Sequence, residues 1–188
     1  MKRSQEWKNT FNPKNKYVQP RKNGSWLEPF DPLEVNSHYT EANAWHYSFF
    51  VPQNINELIQ MHGGKKKFEN FIDALFNAPN KTTGIQQVDI TGLIGQYAHG
   101  NEPSHHMAYL YNYVGKPEKT DEKIKFILDN FYKNSPDGLI GNEDCGQMSA
   151  WYILSSMGIY SVTPGKPEWE TTTPYFDEVK IHLEDGTT

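Results

Sequence analysis

The stretch KKKFENFIDALFNAP, residues 65 to 79, indicates the fold class of this 188-residue chain. Its apolar residues recur at intervals of three and four, which is the spacing of one buried face of an α-helix. These residues are Phe68, Phe71, Ile72, Leu75 and Phe76. The pattern stops before Pro79, because proline cannot continue the hydrogen bonding of a helix. The stretch therefore predicts one amphipathic helix of about four turns.

Two further helices are predicted upstream of this stretch. NINELIQMHGG, residues 54 to 64, offers Asn54 as a cap, apolar residues at helical spacing, and a Gly-Gly pair as terminator. Closer to the N-terminus, Thr40 is expected to cap a shorter helix that runs through Trp45 towards Phe50. Val51-Pro52 then stops this helix, since the residue before a proline disfavours helical geometry.

Helical patterns also follow downstream. They cover PSHHMAYLYNYVG (103 to 115), TDEKIKFILDNFYKN (120 to 134, with Thr120 as cap) and DCGQMSAWYILSSMG (144 to 158). Residues 1 to 40 contain too many prolines, asparagines and glycines for long helices, and predict loops with a hairpin near residues 17 to 26. IYSVTP and EVKIHLEDG predict strands near the C-terminus. The expected fold is mainly α, with a short β segment at each end.

Composition excludes several classes of function. A net charge of −5 leaves no basic surface for phosphate backbones, so nucleic acid is not an expected partner. No apolar run reaches the roughly 18 residues of a membrane span, and MKRSQEWKN lacks the apolar stretch of a signal peptide. The single cysteine, Cys145, excludes an internal disulfide and is expected to be a small buried packing residue. Aromatic residues reach 14%, which suits either core packing or contact with sugar faces.

Three polar motifs contain the candidate functional residues, and local sequence alone leaves their roles open. Asp144 fits an ordinary helix cap as well as a catalytic carboxylate, and Glu41 fits a solvated acid in a first helical turn. The doublet His105-His106 suggests zinc, but adjacent histidines cannot share a metal on one helix face as an i, i+4 pair can.

The longer context of these residues is more specific. EANAWHY (41 to 47), GNEPSHHMAYLYNYVGKP (100 to 117) and GNEDCGQMSAWYILSSMGIYSVTPG (141 to 165) resemble the catalytic domain of glycoside hydrolase family 92. RSQEWKNTF and PFDP near the start are similar to the same family, whose members are calcium-dependent bacterial exo-α-mannosidases. The resemblance implies an (α/α)6 toroid, inversion at the anomeric carbon, a carboxylic acid as proton donor, an aspartate as base, and Ca²⁺ bound to sugar hydroxyls.

The resemblance turns the open roles into expectations. Glu41 is the candidate general acid, because apolar neighbours would favour its protonated form. Asp144 is the candidate base, because a helix start would favour its charge. Asn101 and Glu102 supply oxygen ligands of the kind that Ca²⁺ prefers. The expected substrate-binding residues are Trp45, His105, Glu143 and Gln147, with Glu143 kept as an alternative base and Gln147 as a residue that only closes the turn.

Family members are several times longer than this chain, so residues 1 to 188 are expected to form a C-terminal fragment of the catalytic domain. Residues 170 to 188 then begin a strand that returns to a β-sandwich domain absent from the chain. The resemblance implies a mannose-containing glycan as substrate, with α-1,2 linkages, and an exported or periplasmic parent enzyme. Exposed helix faces of an incomplete toroid are expected to allow self-association, and the chain alone to be inactive. A non-catalytic helical carbohydrate-binding or scaffold module and another inverting toroid glycosidase remain as alternatives.

Overall fold

Helices dominate the regular structure in the computed structural model, which describes residues 3–187. The α-helices are α1 (Ala44–Phe49), α2 (Ile55–His62), α3 (Lys65–Asn77), α4 (Leu110–Tyr113), α5 (Pro117–Phe131) and α6 (Gln147–Ser156). Short 3-10 helices cover Arg3–Asn9, Pro52–Asn54, Glu102–Ser104 and Met107–Tyr109. None of the helices within residues 3–187 combines the length and the apolar character that crossing a bilayer requires. The mainly helical fold class is therefore confirmed.

Helices α2 to α6 surround one apolar core, and each of them packs against the next helix in the chain. This holds for α3 and α4 too, although a long loop separates them in sequence. The stripe predicted on α3 is confirmed, since Phe68, Ile72, Leu75 and Phe76 are buried and Phe71 is half-buried. Other core residues come from α2, α4, α5 and α6, and include Leu58, Tyr111, Ile127 and Trp151. Helices that follow one another in the chain are therefore also neighbours in the fold.

The start and end of α2 match the sequence prediction. The Asn54 side chain accepts a hydrogen bond from the backbone N–H of Glu57, and Gly63 ends the helix in a left-handed conformation at φ +96°. The predicted cap of α1 is wrong. Asn43 caps this helix, because its side chain accepts from the N–H of Trp45, whereas Thr40 lies four residues before the first helical residue.

The predicted cap of α5 is also wrong. The helix begins at Pro117, which suits a first helical position because proline has no N–H to leave unpaired there. Thr120 instead lies inside the helix, is buried, and donates a 2.8 Å hydrogen bond to the Asn112 side chain. The prediction for residues 103 to 115 is only partly right, since 3-10 turns precede the single α-helical turn of α4.

Within residues 3–187, the strands form four two-stranded sheets of two residues per strand. They are β1 (Arg21–Lys22) with β2 (Ser25–Trp26), β3 (Glu34–Val35) with β4 (Thr83–Gly84), β5 (Leu93–Ile94) with β6 (Tyr97–Ala98), and β7 (Ile159–Tyr160) with β8 (Glu170–Thr171). The β1–β2 pair confirms the predicted hairpin, and β7 confirms part of IYSVTP. EVKIHLEDG is not a strand here, because no other strand among residues 3–187 pairs with it, and its apolar residues are exposed.

An ion-pair cluster joins α3 to α5. The Lys119 Nζ lies 2.8 Å from a Glu69 oxygen and 2.7 Å from an Asp73 oxygen, and Lys66 contacts the second Glu69 oxygen at 2.9 Å. Glu69 is buried, so its charge requires these partners. Hydrogen bonds from Lys119 and Lys66 lower the pKa of Glu69 to about 2. The cluster fixes the relative position of two central helices.

Candidate active site

The three sequence motifs meet at one cavity of about 420 Å³. The first motif supplies Glu41, the second supplies Gly100 to Glu102, and the third supplies Asn142, Asp144 and Cys145. A further acid, Asp89, comes from the segment that precedes β5. Glu41, Asp89, Glu102 and Asp144 thus place four carboxyl groups around one small polar space.

The segment QQVDITG, residues 86 to 92, holds the three motifs together. The Gln87 side chain accepts a 2.7 Å hydrogen bond from the N–H of Ala42, next to Glu41. Thr91 accepts a 3.1 Å bond from the N–H of Gly100 through its backbone, and its hydroxyl donates a 2.6 Å bond to the Ile140 carbonyl. One short segment therefore fixes the relative position of all three motifs.

Close packing at Gly100 has a steric cause. A Cβ atom at this position would lie 1.9 Å from the Thr91 Oγ1 and 2.8 Å from the Ile140 carbonyl oxygen. Both distances are shorter than van der Waals contact allows. Gly100 is therefore required where the second motif passes between the Thr91 segment and the third motif.

Asp89 lines the cavity as well, although its sequence context did not predict this position. It is exposed, lines the cavity, and accepts a 3.3 Å hydrogen bond from the Asn142 side chain. Its signal in the sequence is weak, namely one acid in a polar segment between two predicted helices. Local pattern does not reveal that such a segment crosses three distant motifs.

Glu143 and Asp144 have different structural roles. The Glu143 carboxylate accepts a 2.6 Å bond from the N–H of Gly146, and bonds of 3.2 Å and 2.7 Å from the N–H and hydroxyl of Ser149. The Ser149 hydroxyl, followed by the two backbone donors, lowers the pKa of Glu143. Glu143 therefore closes the start of α6, it is not among the residues that line the cavity, and its role in substrate binding stays a prediction.

Asp144 is not a helix cap. Its backbone is left-handed at φ +56°, followed by Cys145 at +54° and Gly146 at +99°, and this turn directs residue 144 to the cavity. Aspartate tolerates that conformation better than most residues. The hydrogen-bonded carboxyl of Glu102 raises the pKa of Asp144, with burial as a second cause. The expectation that a helix start alone would favour the Asp144 charge is therefore incomplete, because a second carboxyl group opposes it.

Glu41 lies on the cavity wall, but its surroundings differ from those expected. The side chain is exposed rather than enclosed by apolar groups, and its backbone N–H donates a 3.2 Å bond to the Tyr47 hydroxyl. The expectation that Trp45 lines the pocket is wrong. Its indole is 6% exposed in the core, where it contacts Tyr17 and stacks on Phe71. Glu41 lies before the Asn43 cap of α1, so helical spacing does not relate it to Trp45 on the helix.

The His105 ring is buried beneath the site and does not face the cavity. Its Nε2 lies 2.9 Å from the His99 carbonyl oxygen, and its Nδ1 lies 3.1 Å from the Gln147 side-chain nitrogen. Burial lowers the pKa of His105 to about 4, with the His99 carbonyl and Asp144 as opposing influences. His106 is also buried, and its Nε2 faces the Phe49 carbonyl at 2.9 Å. The two rings thus engage different backbone carbonyls rather than one metal.

The donor chemistry of the cavity fits a hard cation. Carboxylate and amide oxygens line it, and these are the ligands that calcium prefers. Asn101 lines the cavity and is 2% exposed, and its side-chain nitrogen Nδ2 has no hydrogen-bond partner, so this amide can still donate a hydrogen bond to an acceptor oxygen. Within residues 3–187, no three His, Cys, Asp or Glu side chains are close enough to bind a metal together. Amide, backbone, water or sugar oxygens would have to complete the coordination.

Cys145 differs from its predicted environment. It is exposed and lines the cavity beside Asp144, so its description as a buried packing residue is wrong. The left-handed turn before α6 is the reason, because it carries residues 144 and 145 out of the helical pattern.

Several known proteins are similar to this chain. A solved family 92 α-mannosidase of Bacteroides thetaiotaomicron, in complex with mannoimidazole, is 36% identical with a TM-score of 0.87, over 96% of this chain and 25% of that one. A family 92 inverting mannosidase of B. thetaiotaomicron VPI-5482 is 33% identical with a TM-score of 0.82, over 98% of this chain and 26% of that one. An uncharacterized secreted glycosidase of Arthroderma benhamiae is 28% identical over 177 residues, which are 88% of this chain and 21% of that protein.

A helical scaffold whose loops gather carboxyl groups in one cavity fits the glycoside hydrolase class. The chain belongs to glycosyl hydrolase family 92, whose catalytic-domain model matches residues 1–188. It spans about a quarter of the length of the solved structures above and 21% of the curated relative.

Proposed function

We propose that this chain contributes the acid, the base and the calcium ligands of an inverting exo-α-mannosidase that acts on mannose-rich glycans. The observation that supports this proposal most directly is the shared cavity of Glu41, Glu102 and Asp144. An inverting glycosidase needs one carboxyl group that gives a proton to the leaving oxygen and another that activates water. The family and the mannosidase neighbours support mannose as the sugar.

In this mechanism, Glu41 is the general acid. Its carboxyl proton passes to the glycosidic oxygen as the bond from that oxygen to the anomeric carbon breaks. Asp144 is the general base, which takes a proton from the water that attacks the anomeric carbon from the opposite face. Glu143 keeps the start of α6 in place, so that the turn after it directs Asp144 to the cavity.

Asn101 and Glu102 are the residues that would hold calcium. Both residues line the carboxylate cavity, and the contact between Glu102 and Asp144 brings two carboxyl groups together, which supports this assignment. Bound calcium would supply positive charge, which allows neighbouring carboxyl groups to be ionised together. The chain's own residues provide the oxygen ligands, and sugar hydroxyls and water would provide the others.

The wider architecture follows from the same proposal. Helices that pack in chain order, with functional loops gathered at one cavity, support a place within an (α/α)6 toroid. The longer parent protein would be exported, as the relative named a secreted glycosidase suggests. Outward-facing Phe126 and Ile153, about half exposed, would be covered by further protein or by a second copy. The 188-residue chain alone would not hold a substrate firmly enough for turnover.

The test uses a chain with the full length of the solved family members, assayed on a panel of aryl and disaccharide α-mannosides. We expect hydrolysis that includes α-1,2 linkages, β-mannose as the first product by NMR, and loss of activity in chelator that calcium restores. Full activity in excess chelator, with no bound metal by elemental analysis, would contradict the calcium assignment. Hydrolysis of α-glucosides but not of α-mannosides would contradict the choice of sugar.

A further inference from the structure

Gln147 lines a groove that adjoins the carboxylate cavity. The groove has a volume of about 280 Å³, and its wall includes Phe50, Tyr160 and Gln147. Glu102 lines both the groove and the carboxylate cavity, so the two spaces adjoin. Aromatic rings beside a few polar groups suit the apolar face and hydroxyl edge of a sugar.

The orientation of the Gln147 amide follows from the contacts of His105. The His105 Nε2 faces the His99 carbonyl oxygen at 2.9 Å, and a carbonyl oxygen can only accept, so Nε2 must bear the proton. In the neutral ring Nδ1 is then an acceptor. The Gln147 nitrogen, 3.1 Å from Nδ1, is therefore the donor, and the Gln147 Oε1 is directed away from the imidazole.

The imidazole itself is held rigidly. His105 is 1% exposed, and its ring packs against the rings of His99 and Trp151. Its backbone carbonyl accepts a 3.0 Å bond from the Trp151 Nε1, and its backbone N–H donates a 3.0 Å bond to the Glu102 carbonyl. A ring so enclosed cannot touch a sugar, which corrects the expectation that His105 binds substrate directly.

We infer that His105 is a positioning residue, which fixes the Gln147 amide so that its Oε1 accepts a hydrogen bond from a sugar hydroxyl in the groove. The sugar part of this inference rests on the proposed function, whereas the positioning part does not. Glu102 and Gln147 then present two acceptors to the groove, and Glu102 also lines the cavity.

The first experiment reads the tautomer of His105 directly. Long-range ¹H–¹⁵N NMR of the labelled 188-residue chain at pH 7.5 should show a protonated Nε2 and a bare Nδ1, with the signals assigned by their loss in His105→Gln. In Gln147→Ala the Nδ1 resonance should move, while the Nε2 proton stays in place. A proton on Nδ1, or an Nδ1 resonance unchanged in Gln147→Ala, would overturn the inference.

The second experiment uses two matched substitutions in the full-length chain. Asparagine at 105 can place an acceptor oxygen near the position of Nδ1, whereas glutamine can reach the His99 carbonyl but offers Gln147 no acceptor. We expect His105→Gln to raise KM about 3- to 10-fold, as for one lost hydrogen bond, with a smaller change in kcat. His105→Asn should raise KM less, although it loses the hydrogen bond to the His99 carbonyl.

Two controls separate positioning from stability. His46→Gln removes another buried imidazole whose Nε2 faces a backbone carbonyl, that of Gln96, and should lower stability without raising KM. His105→Gln combined with Gln147→Ala should have little more effect on KM than either change alone. Equal KM values in His105→Asn and His105→Gln, or additive effects, would overturn the positioning role. If the wild-type full-length chain had no mannosidase activity, the proposed function and the hydrogen bond from Gln147 to a sugar would both be overturned. The NMR measurement of the His105 tautomer would still decide whether His105 positions the Gln147 amide.

Discussion

Glu143 and Asp144 are adjacent in sequence, yet the Glu143 carboxylate binds the N-terminus of α6 while the Asp144 carboxyl lies against Glu102 in the cavity. The left-handed turn that begins at residue 144 makes this division possible. The cap and the candidate base are therefore two different residues, and substitutions should separate them.

Replacement of Glu143 by alanine should lower stability more than it alters chemistry. The change removes the acceptor of the Gly146 N–H and of both Ser149 donors, so the first turn of α6 loses its partners. Glu143→Gln keeps an oxygen acceptor but not the charge, so its stability should lie between that of Glu143→Ala and that of wild type. Urea unfolding followed by circular dichroism measures this order. A midpoint for Glu143→Ala equal to that of wild type would contradict the capping role.

Gly100→Ala should destabilise the junction of the three motifs. Because the added methyl group would overlap Thr91 and the Ile140 carbonyl, we expect a loss of about 1–3 kcal/mol in the free energy of unfolding, typical of overpacking. Gly115→Ala is the matched control, since Gly115 has open space around it and a φ of +77°, and so reports backbone strain alone. A loss at Gly100 no greater than at Gly115 would contradict the proposed tight junction.

The helices were the more predictable part of the structure, because their signals are local. Asn54, Gly63 and the apolar stripe of α3 each act within a few residues, and the structure matches them. The cap of α1 was mispredicted because Thr40 and Asn43 are both good capping residues, and tertiary contacts decide between them. Asn43 also bonds the buried Gln96 side chain, a contact across 53 residues that no local pattern reveals.

The candidate site was predictable as a set of motifs but not as a geometry. Resemblance to a known family grouped Glu41, Glu102 and Asp144 by their motifs, and the shared cavity agrees with that grouping. Asp89 was missed, because its segment acts through contacts that are distant in sequence. Trp45 was misplaced, because its spacing from Glu41 does not determine which side of the helix turns towards the core.

Acid should destabilise the chain partly through His62. Burial, with a smaller effect of Lys16, lowers the pKa of this imidazole to about 3. In the unfolded chain the His62 imidazole takes up a proton near pH 6.5, whereas in the folded chain it does so only near pH 3. The contribution of neutral His62 to the free energy of unfolding is therefore fully present above pH 6.5 and is lost as the pH falls towards 3. For one such group, the free energy of unfolding changes by up to about 1.4 kcal/mol per pH unit in this range.

His62→Phe should therefore flatten the acid limb of the stability curve, measured as urea midpoints between pH 7 and pH 4. Phenylalanine suits this position because the imidazole already packs against Phe11, Phe68 and Phe71, and its Nε2 has no partner. The exposed residue His38, changed to glutamine, is the control and should leave the curve unaltered. Parallel curves for His62→Phe and wild type would contradict the assignment.

Glu41→Gln tests the general acid. In the full-length chain this change should slow hydrolysis of disaccharides strongly, because the leaving sugar needs a proton, and should slow hydrolysis of activated aryl mannosides much less. The measurement is the ratio of the wild-type rate to the variant rate, determined once for disaccharides and once for aryl mannosides. Equal losses for both kinds of substrate would assign Glu41 another role, and Asp89, on the same cavity wall, would be the next residue to examine.

The most direct test of the whole account is the rate of Asp144→Asn in the full-length chain, measured together with its unfolding. Asparagine tolerates the left-handed backbone of residue 144, so the fold should remain intact, while an amide cannot take a proton from water. We predict a loss of at least ~10²-fold in turnover, equal for aryl and disaccharide substrates, with nearly unchanged stability. Turnover close to wild type in a folded Asp144→Asn chain would contradict the assignment of the catalytic base.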